Sequence, residues 1–319
     1  MKRVSISIPC YNESQNVKLI TEAILKIFDS DTRLRNYNCM IEFIDNDSTD
    51  QTKEILKEVY KAHPDNVKVI FNVKNFGSVS SYYGLLQSKG DCTIVMPCDF
   101  QVPVSIIPEL IEKWESGSKI VCAIKKESKE NMKMKSIRNI YYSLIDFFSH
   151  SHSIAHFTGA GLYDKEFVCV LRGFDDSIPS LRGLVAEYGY KIEKIFYKEE
   201  SRKSGRSKQS LMSLFQVAFK NLFLYSEFLS MITLILSLIL IGLSILFFVF
   251  GILIGVIAKI NVEIYVLIGV VLAVGGTNMF GISALAKYLT YLNIRVMGRP
   301  LVIEEYRLGD ENNDDNKLF

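Results

Sequence analysis

Val4-Ser5-Ile6-Ser7-Ile8-Pro9-Cys10-Tyr11-Asn12-Glu13 is the stretch that decides the fold. Its first five residues alternate β-branched and small polar side chains, the period-two pattern of a strand. A proline and a short polar run then end it. Strand-like segments recur at 40–44, 67–71 and 92–96. Between them lie segments with helical spacing. Residues 13–28 carry Val17, Ile20, Ile24 and Ile27 on one face, 52–62 and 78–88 follow, with Gly90 as a stop, and 105–115 comes after the fourth strand. Strand and helix alternating four times predict an α/β fold with a mostly parallel sheet and helices on its faces. In such sheets ligands bind in the crevice at the carboxyl ends of the strands. The informative residues are therefore those just after each strand.

Four such segments stand there. They are Pro9-Cys10-Tyr11-Asn12-Glu13, Asp45-Asn46-Asp47-Ser48-Thr49-Asp50, Asn75-Phe76-Gly77 and Pro97-Cys98-Asp99-Phe100-Gln101. Carboxylates at strand ends accept hydrogen bonds from a base or ribose, or hold a hard cation through oxygen. Each segment alone also reads as a turn or helix cap, as Asp-x-Asp-Ser-Thr-Asp does before a helix. Four in order along one sheet edge favour a binding site.

The 319 residues are 49% hydrophobic and 23% charged, which excludes a disordered chain. Lys plus Arg is 37 against 35 Asp plus Glu, a net charge of +2. That balance lacks the basic excess of a duplex nucleic-acid binder. Six cysteines are scattered without a C-x-x-C pair, which predicts reduced, buried thiols. The apolar part of the N-terminus is too short for a signal peptide.

No charged residue occurs in 228–258, nor in 264–286, and each run exceeds the roughly 20 residues a membrane-crossing helix needs. Five residues separate them, so they predict an antiparallel transmembrane hairpin over 228–287. Residues 210–227 form an amphipathic stripe that reads as an interface helix. Residues 1–209 precede it as a globular domain, and 288–319 follow as a juxtamembrane tail. Arg202, Lys203, Arg206, Lys208 and Lys220 flank the hairpin on one side, with Lys287, Arg295, Arg299 and Arg307 after it. Positive charge marks the cytoplasmic side, so the globular domain and the tail are expected to face the cytoplasm from the plasma (inner) membrane.

The chain resembles the family 2 glycosyltransferases of GT-A fold, and within them the polyprenyl-phosphate glycosyltransferases, the dolichyl-phosphate mannose synthase and bactoprenyl glucosyltransferase group. The resemblance rests on the P-x-Y-N-E turn, the Asp-rich run at 43–52, Asn75-Phe76-Gly77, the segment 95–103, FTGAGLYDK at 157–165, Arg182-Gly183-Leu184, RKSGRSK at 202–208 and the twin apolar runs. It implies transfer of a sugar from a UDP- or GDP-linked donor to a polyprenyl phosphate (undecaprenyl or dolichyl), with inversion. Pro9, Tyr11 and Glu13 would then frame the base, and Ile44, Asp45 and Asn46 would contact base and ribose. Cys98 and Asp99 would meet the ribose-diphosphate. Asp99 and Gln101 would hold Mg²⁺ or Mn²⁺, and Lys125 would stand near the diphosphate. Arg202, Ser207 and Lys208 would bind phosphate charge, Arg202 and Lys208 acting with Asp99 in catalysis, and Arg138 would meet the lipid phosphate. Self-association of the chain is left open.

This sequence departs from the family pattern at three positions. Pro97 replaces the first metal-motif Asp and offers no side-chain ligand. Asn46 replaces the second Asp of an Asp-Asp pair, and Ala160 stands where many relatives carry an acid. Two other readings follow: the same fold with another lipid or glycan acceptor, or a non-catalytic membrane subunit with a degenerate metal motif.

Overall fold

The structure, a computed structural model, describes residues 1–126, 154, 157–174, 176, 179–188, 190–198, 239, 263–296, 298 and 300–309. The chain divides into two compact units. Among the described residues the first holds all the strands and the short helices, and the second holds one long helix.

In the first unit strands β1 (Lys2–Cys10), β2 (Tyr37–Asp45), β3 (Val67–Asn72) and β4 (Cys92–Val95) alternate with helices α1 (Val17–Ser30), α2 (Thr52–Ala62) and α3 (Val79–Gln87). A short 3₁₀ turn and helix α4 (Ile107–Glu115) follow. Then come β5 (Ile120–Lys125), β6 (Phe157–Asp164), α5 (Lys165–Arg172), α6 (Leu181–Tyr188) and β7 (Ile192–Tyr197). The second unit contains α7 (Glu263–Val296), after which the chain returns to the first as β8 (Glu304–Leu308).

The eight strands form one sheet in the order β7-β5-β6-β4-β1-β2-β3-β8. β4, β1, β2 and β3 run parallel, as does the β5–β7 pair, whereas β6 and β8 pair antiparallel with their neighbours. This is a GT-A-like α/β arrangement with a mostly parallel sheet. Strand order reverses at β1, with β2 on one side and β4 on the other. The crevice at their carboxyl ends is thus a topological switch point.

Parallel strands covered on both faces should read as apolar runs. Ile6, Ile8, Ile41, Phe43, Val67, Val69 and Phe71 are all fully buried. The face opposite α1 and α2 carries small polar residues, Ser5 and Ser7, beneath α3. Gly84 allows α3 to lie close there: a Cβ would overlap Ser7 Oγ and Ile44 Cδ1. Helix α1 begins at Val17, later than the periodicity predicts, after a turn in which Glu13 O accepts the N–H groups of Asn16 and Val17.

Two sequence expectations need adjusting. The expected tail contributes β8 to the sheet. The expected hairpin is not established: the run 228–258 and the amphipathic stretch 210–227 lie outside the described residues, but for Ile239, and among the described residues no helix is long and apolar enough to cross a membrane. An open groove of about 1160 Å³, lined by Arg3, Glu22, Lys26, Arg35, His63 and Asp65 among others, lies at the amino ends of β1 and β2. It shares no residue with the carboxyl-end loops.

Candidate active site

The loop after β1 is built on Asn12, whose φ of +58° is a conformation Asn tolerates better than most residues. Its N–H donates to Ser48 Oγ at 2.9 Å, and its Oδ1 accepts the Thr49 N–H at 2.7 Å. One residue on, the Glu13 N–H donates to Thr52 Oγ1 at 2.8 Å. The first two strand-end loops are therefore laced together by side chains of Asn, Ser and Thr. Pro9, Tyr11 and Glu13 are half-buried along this seam. Glu13 Oε2 accepts from Asn16 Nδ2 at 2.6 Å.

Asp45 ends β2 and is fully buried. Burial pushes its carboxyl above the ordinary value, against two hydrogen bonds from Ser48 and the charge of Lys53. Ser48 supplies its hydroxyl at 2.5 Å and its N–H at 3.1 Å. Its neighbour Asn46 donates its N–H to Cys10 O at 2.9 Å, which extends the pairing of β1 and β2 into the loops. Asn46 Oδ1 accepts from Asn72 Nδ2 at 3.2 Å, from the Phe76 N–H at 3.4 Å and from Ser80 Oγ. The Phe76 N–H can only donate, so the atom facing it must be the oxygen. Asn46 thereby joins three loops, and no partner for its Nδ2 is present among the described residues. Ile44 is fully buried against α3 and serves packing.

Past β4, Met96 still pairs, its N–H donating to Ser7 O at 3.2 Å. Cys98 and Asp99 are 2% and 5% exposed, and the next residue, Phe100, has φ +61°. Asp99 Oδ1 accepts the Gln101 N–H at 3.1 Å. The turn so formed holds the Asp99 carboxylate and the Gln101 amide on one short loop. Burial raises the Cys10 thiol well above its ordinary value, and Cys98, Asp45 and Glu13 add to the rise. The floor of the crevice is thus shared by the loops of β1, β2 and β4. Lys125 ends β5, which runs in the same direction as β4 with β6 between them. It lies on the same sheet edge, about 10 Å across the sheet from β4.

Pro9, Tyr11, Glu13, Ile44, Asp45, Asn46, Cys98, Asp99, Gln101 and Lys125 therefore all stand at the carboxyl edge expected of them. Arg138, Arg202, Ser207 and Lys208 lie outside the described residues. Sequence reasoning passed over Asn12, Ser48, Asn72 and Ser80, the uncharged residues that bind the loops to one another. The asparagine at 12 inside a strand-end turn was the one available signal.

Asp99 and Gln101 offer hard oxygen donors of the kind that suits Mg²⁺ or Mn²⁺. Among the described residues no group of three or more His, Cys, Asp or Glu could hold a metal ion. The donor set fits a cation whose shell is completed by substrate phosphates and water, not a cage built by the protein alone.

A strand-end crevice of this kind, on a mostly parallel sheet with an Asp on the loop after β4, is the place where an α/β fold binds its ligand. Residues 5–169 match the family model Glycosyl transferase family 2, and the chain belongs to that family. It is a glycosyltransferase. It is 26% identical over 302 residues to the "Putative glycosyltransferase CsbB" of Bacillus subtilis, covering 93% of this chain and 89% of that one. It is 24% identical over 304 residues to the "SfII prophage-derived bactoprenol glucosyl transferase" of Shigella flexneri, covering 94% and 97%. Among solved structures it is similar to the mannosyltransferase PcManGT of Pyrobaculum calidifontis in complex with GDP-Man and Mn²⁺. There the TM-score is 0.43 and the identity 15%, over 93% of this chain and 86% of that one.

Proposed function

We propose that this enzyme moves a sugar from a nucleotide-sugar donor to a polyprenyl phosphate at the cytoplasmic face of the plasma membrane, with inversion at the sugar carbon. The observation that carries the reading is the convergence of Asp45, Asn46, Asp99 and Gln101 at the switch point between β1 and its two neighbours. End-to-end similarity to bactoprenol glucosyl transferases supports the lipid acceptor, as do the charge-free runs 228–258 and 264–286.

In this mechanism the loops of β1 and β2 hold the nucleoside and the β4 loop meets its diphosphate. Asn46, its oxygen already engaged, presents Nδ2 as a donor toward the nucleoside. A phosphate monoester has a second pKa near 6, so the lipid phosphate is largely dianionic at pH 7 and attacks without a protein base. Ala160, buried on β6, carries no titratable group, which suits such an acceptor better than an alcohol. What remains for the protein is to align nucleophile and sugar and to offset charge growing on the departing nucleoside diphosphate. Lys125 serves the second task from the sheet edge. Arg202, Ser207 and Lys208, on the RKSGRSK segment, would bind the acceptor phosphate together with Arg138. Asp99 and Gln101 would hold Mg²⁺ or Mn²⁺, which when bound supplies positive charge to the diphosphate.

The test is to mix purified full-length protein with radiolabelled UDP-glucose, UDP-GlcNAc or GDP-mannose, undecaprenyl phosphate and Mg²⁺ or Mn²⁺. Label is expected in the lipid fraction with at least one donor. No transfer with any donor would overturn the reading.

A further inference from the structure

Strand β8 reaches the donor loops from both faces of the sheet. It pairs antiparallel with β3, Ile70 opposite Arg307 and Phe71 opposite Tyr306, and the Val73 N–H donates to Ile303 O at 3.1 Å. Phe71 and Tyr306 stack with centroids 4.4 Å apart. A bulge between Phe71 and Asn72 interrupts the alternation of β8, so that Glu304 and Arg307 share one face while Glu305 and Tyr306 share the other. On one face Glu304 accepts from Tyr83 Oη, and Arg307 binds Glu304 and donates to Gln87 Oε1 at 2.8 Å. Tyr83 lies on α3, one turn from Ser80, whose hydroxyl donates to Asn46 Oδ1. On the other face Glu305 lies 3.9 Å from Lys53 Nζ, which bonds Asp47 Oδ1 at 2.7 Å. Asp47 sits in the same loop with φ +59°.

Both routes end on the loop after β2: Glu304–Tyr83–α3–Ser80–Asn46 above, and Glu305–Lys53–Asp47 below. We infer that β8, a segment 232 positions beyond β3 in the chain, is a positioning element of the donor site, and that Tyr83, Glu304 and Glu305 are positioning residues for Asn46 and Asp47. The family match ends at residue 169, so it does not reach this strand. The inference rests on the reading that a nucleotide sugar binds at these loops, but the loop geometry can be measured without any ligand.

The test uses the full chain and the variants Tyr83→Phe, Glu305→Gln, Glu304→Ala and Glu304→Gln. The Asn46 and Thr49 amides are hydrogen-bonded to Cys10 O and Asn12 Oδ1 of the neighbouring loop and the Ser48 amide to Asp45 within its own, so their hydrogen exchange reports loop order. Tyr83→Phe and Glu304→Ala are expected to speed exchange at these three amides by about tenfold while β6 and α4 stay unchanged. Glu305→Gln should act mainly on Ser48 and Thr49. Glu304→Gln keeps an acceptor for Tyr83 and should largely restore the loop. The Kd for UDP-glucose or GDP-mannose with Mg²⁺, by calorimetry, should rise about fivefold in step with exchange, and donor KM should rise with kcat nearly constant. Unchanged loop exchange, or an even acceleration across the whole sheet, would overturn the inference. A wild-type chain that binds none of UDP-glucose, UDP-GlcNAc and GDP-mannose, but whose loop amides still respond, would overturn the proposed function and leave the positioning of the β2 loop standing.

Discussion

Thr49 donates its backbone N–H to Asn12 Oδ1 at 2.7 Å, and this bond ties the turn after β1 to the turn after β2. Asn12 holds that place in a left-handed conformation. Asn12→Gly keeps the backbone geometry but removes the side-chain bonds, whereas Asn12→Ala adds the strain of a Cβ at φ +58°. Asn12→Gly is expected to lose about 1–2 kcal/mol of stability. Asn12→Ala should lose a further ~1 kcal/mol. Denaturant melts of the two variants against wild type measure the difference.

Asp99→Asn preserves size and keeps an oxygen acceptor for the Gln101 N–H, but removes the charge. The variant is expected to fold normally by circular dichroism and to lose on the order of 100-fold or more in kcat, as when one electrostatic contact to a transition state is removed. Wild-type turnover in Asp99→Asn would exclude a role for that carboxylate in binding the diphosphate or its cation.

Two carboxylates five residues apart respond to pH with opposite signs. At Asp50 burial works against ionisation, but hydrogen bonds from Thr52 and Ser14 prevail and hold the carboxyl below its ordinary value. Its stabilisation is present above the unfolded carboxylate pKa of about 3.9 and is lost as pH falls through the lower folded value. At Asp45 burial prevails and the carboxyl sits above its ordinary value. Its contribution is present below the unfolded value and is lost as pH rises through the folded one. Thermal melts from acid to neutral pH should therefore show Asp50→Asn weakening the loss of stability below the unfolded carboxylate pKa. Asp45→Asn should flatten the fall that sets in as pH rises above the unfolded carboxylate pKa.

Cys10, Cys39, Cys92, Cys98 and Cys122 are buried, and Cys169 is exposed. Burial pushes the Cys122 thiol up to about 12 and raises Cys10, Cys39 and Cys92 as well. Only thiolates react quickly with disulfide reagents. The native protein is expected to react at Cys169 alone at pH 8 and at every cysteine after denaturation. Cys169→Ser should abolish the fast native phase.

Ser7 Oγ is buried with no hydrogen-bond partner among the described residues, directly under Gly84. An unpartnered buried hydroxyl carries a desolvation cost of about 1–3 kcal/mol. Ser7→Ala should leave stability unchanged or raise it by up to about 1 kcal/mol, whereas Gly84→Ala should lower it by about 1–3 kcal/mol through overpacking. The double variant should recover part of that loss, which a double-mutant cycle would read.

The parallel half of the sheet was legible because Val4–Ile8 and its three successors are β-branched and the intervening helices are amphipathic. The loops that follow them stood out through Asp45, Asp47, Asp50 and Asp99. β8 was not legible. In Glu304-Glu305-Tyr306-Arg307-Leu308 only Tyr306 and Leu308 pack on the core, and Glu304, Glu305 and Arg307 face Tyr83, Lys53 and Gln87, so the strand's apolar signal is too short to stand out. The role of Asn46 was likewise hidden. Its exchange for Asp reads as a lost charge, and only the folded chain brings Asn72, Phe76 and Ser80 around its oxygen. Uncharged hydrogen bonding between distant residues leaves no mark on composition or period.

Tyr83 and Glu304 meet across 221 positions of chain. During synthesis β3 must therefore wait with an open edge until the apolar stretches have left the ribosome and β8 is available. Unpaired edges invite association with other chains. Assembly of the catalytic sheet is thus a late event in the life of the nascent polypeptide, and a stalled or prematurely terminated product would expose that edge to its neighbours.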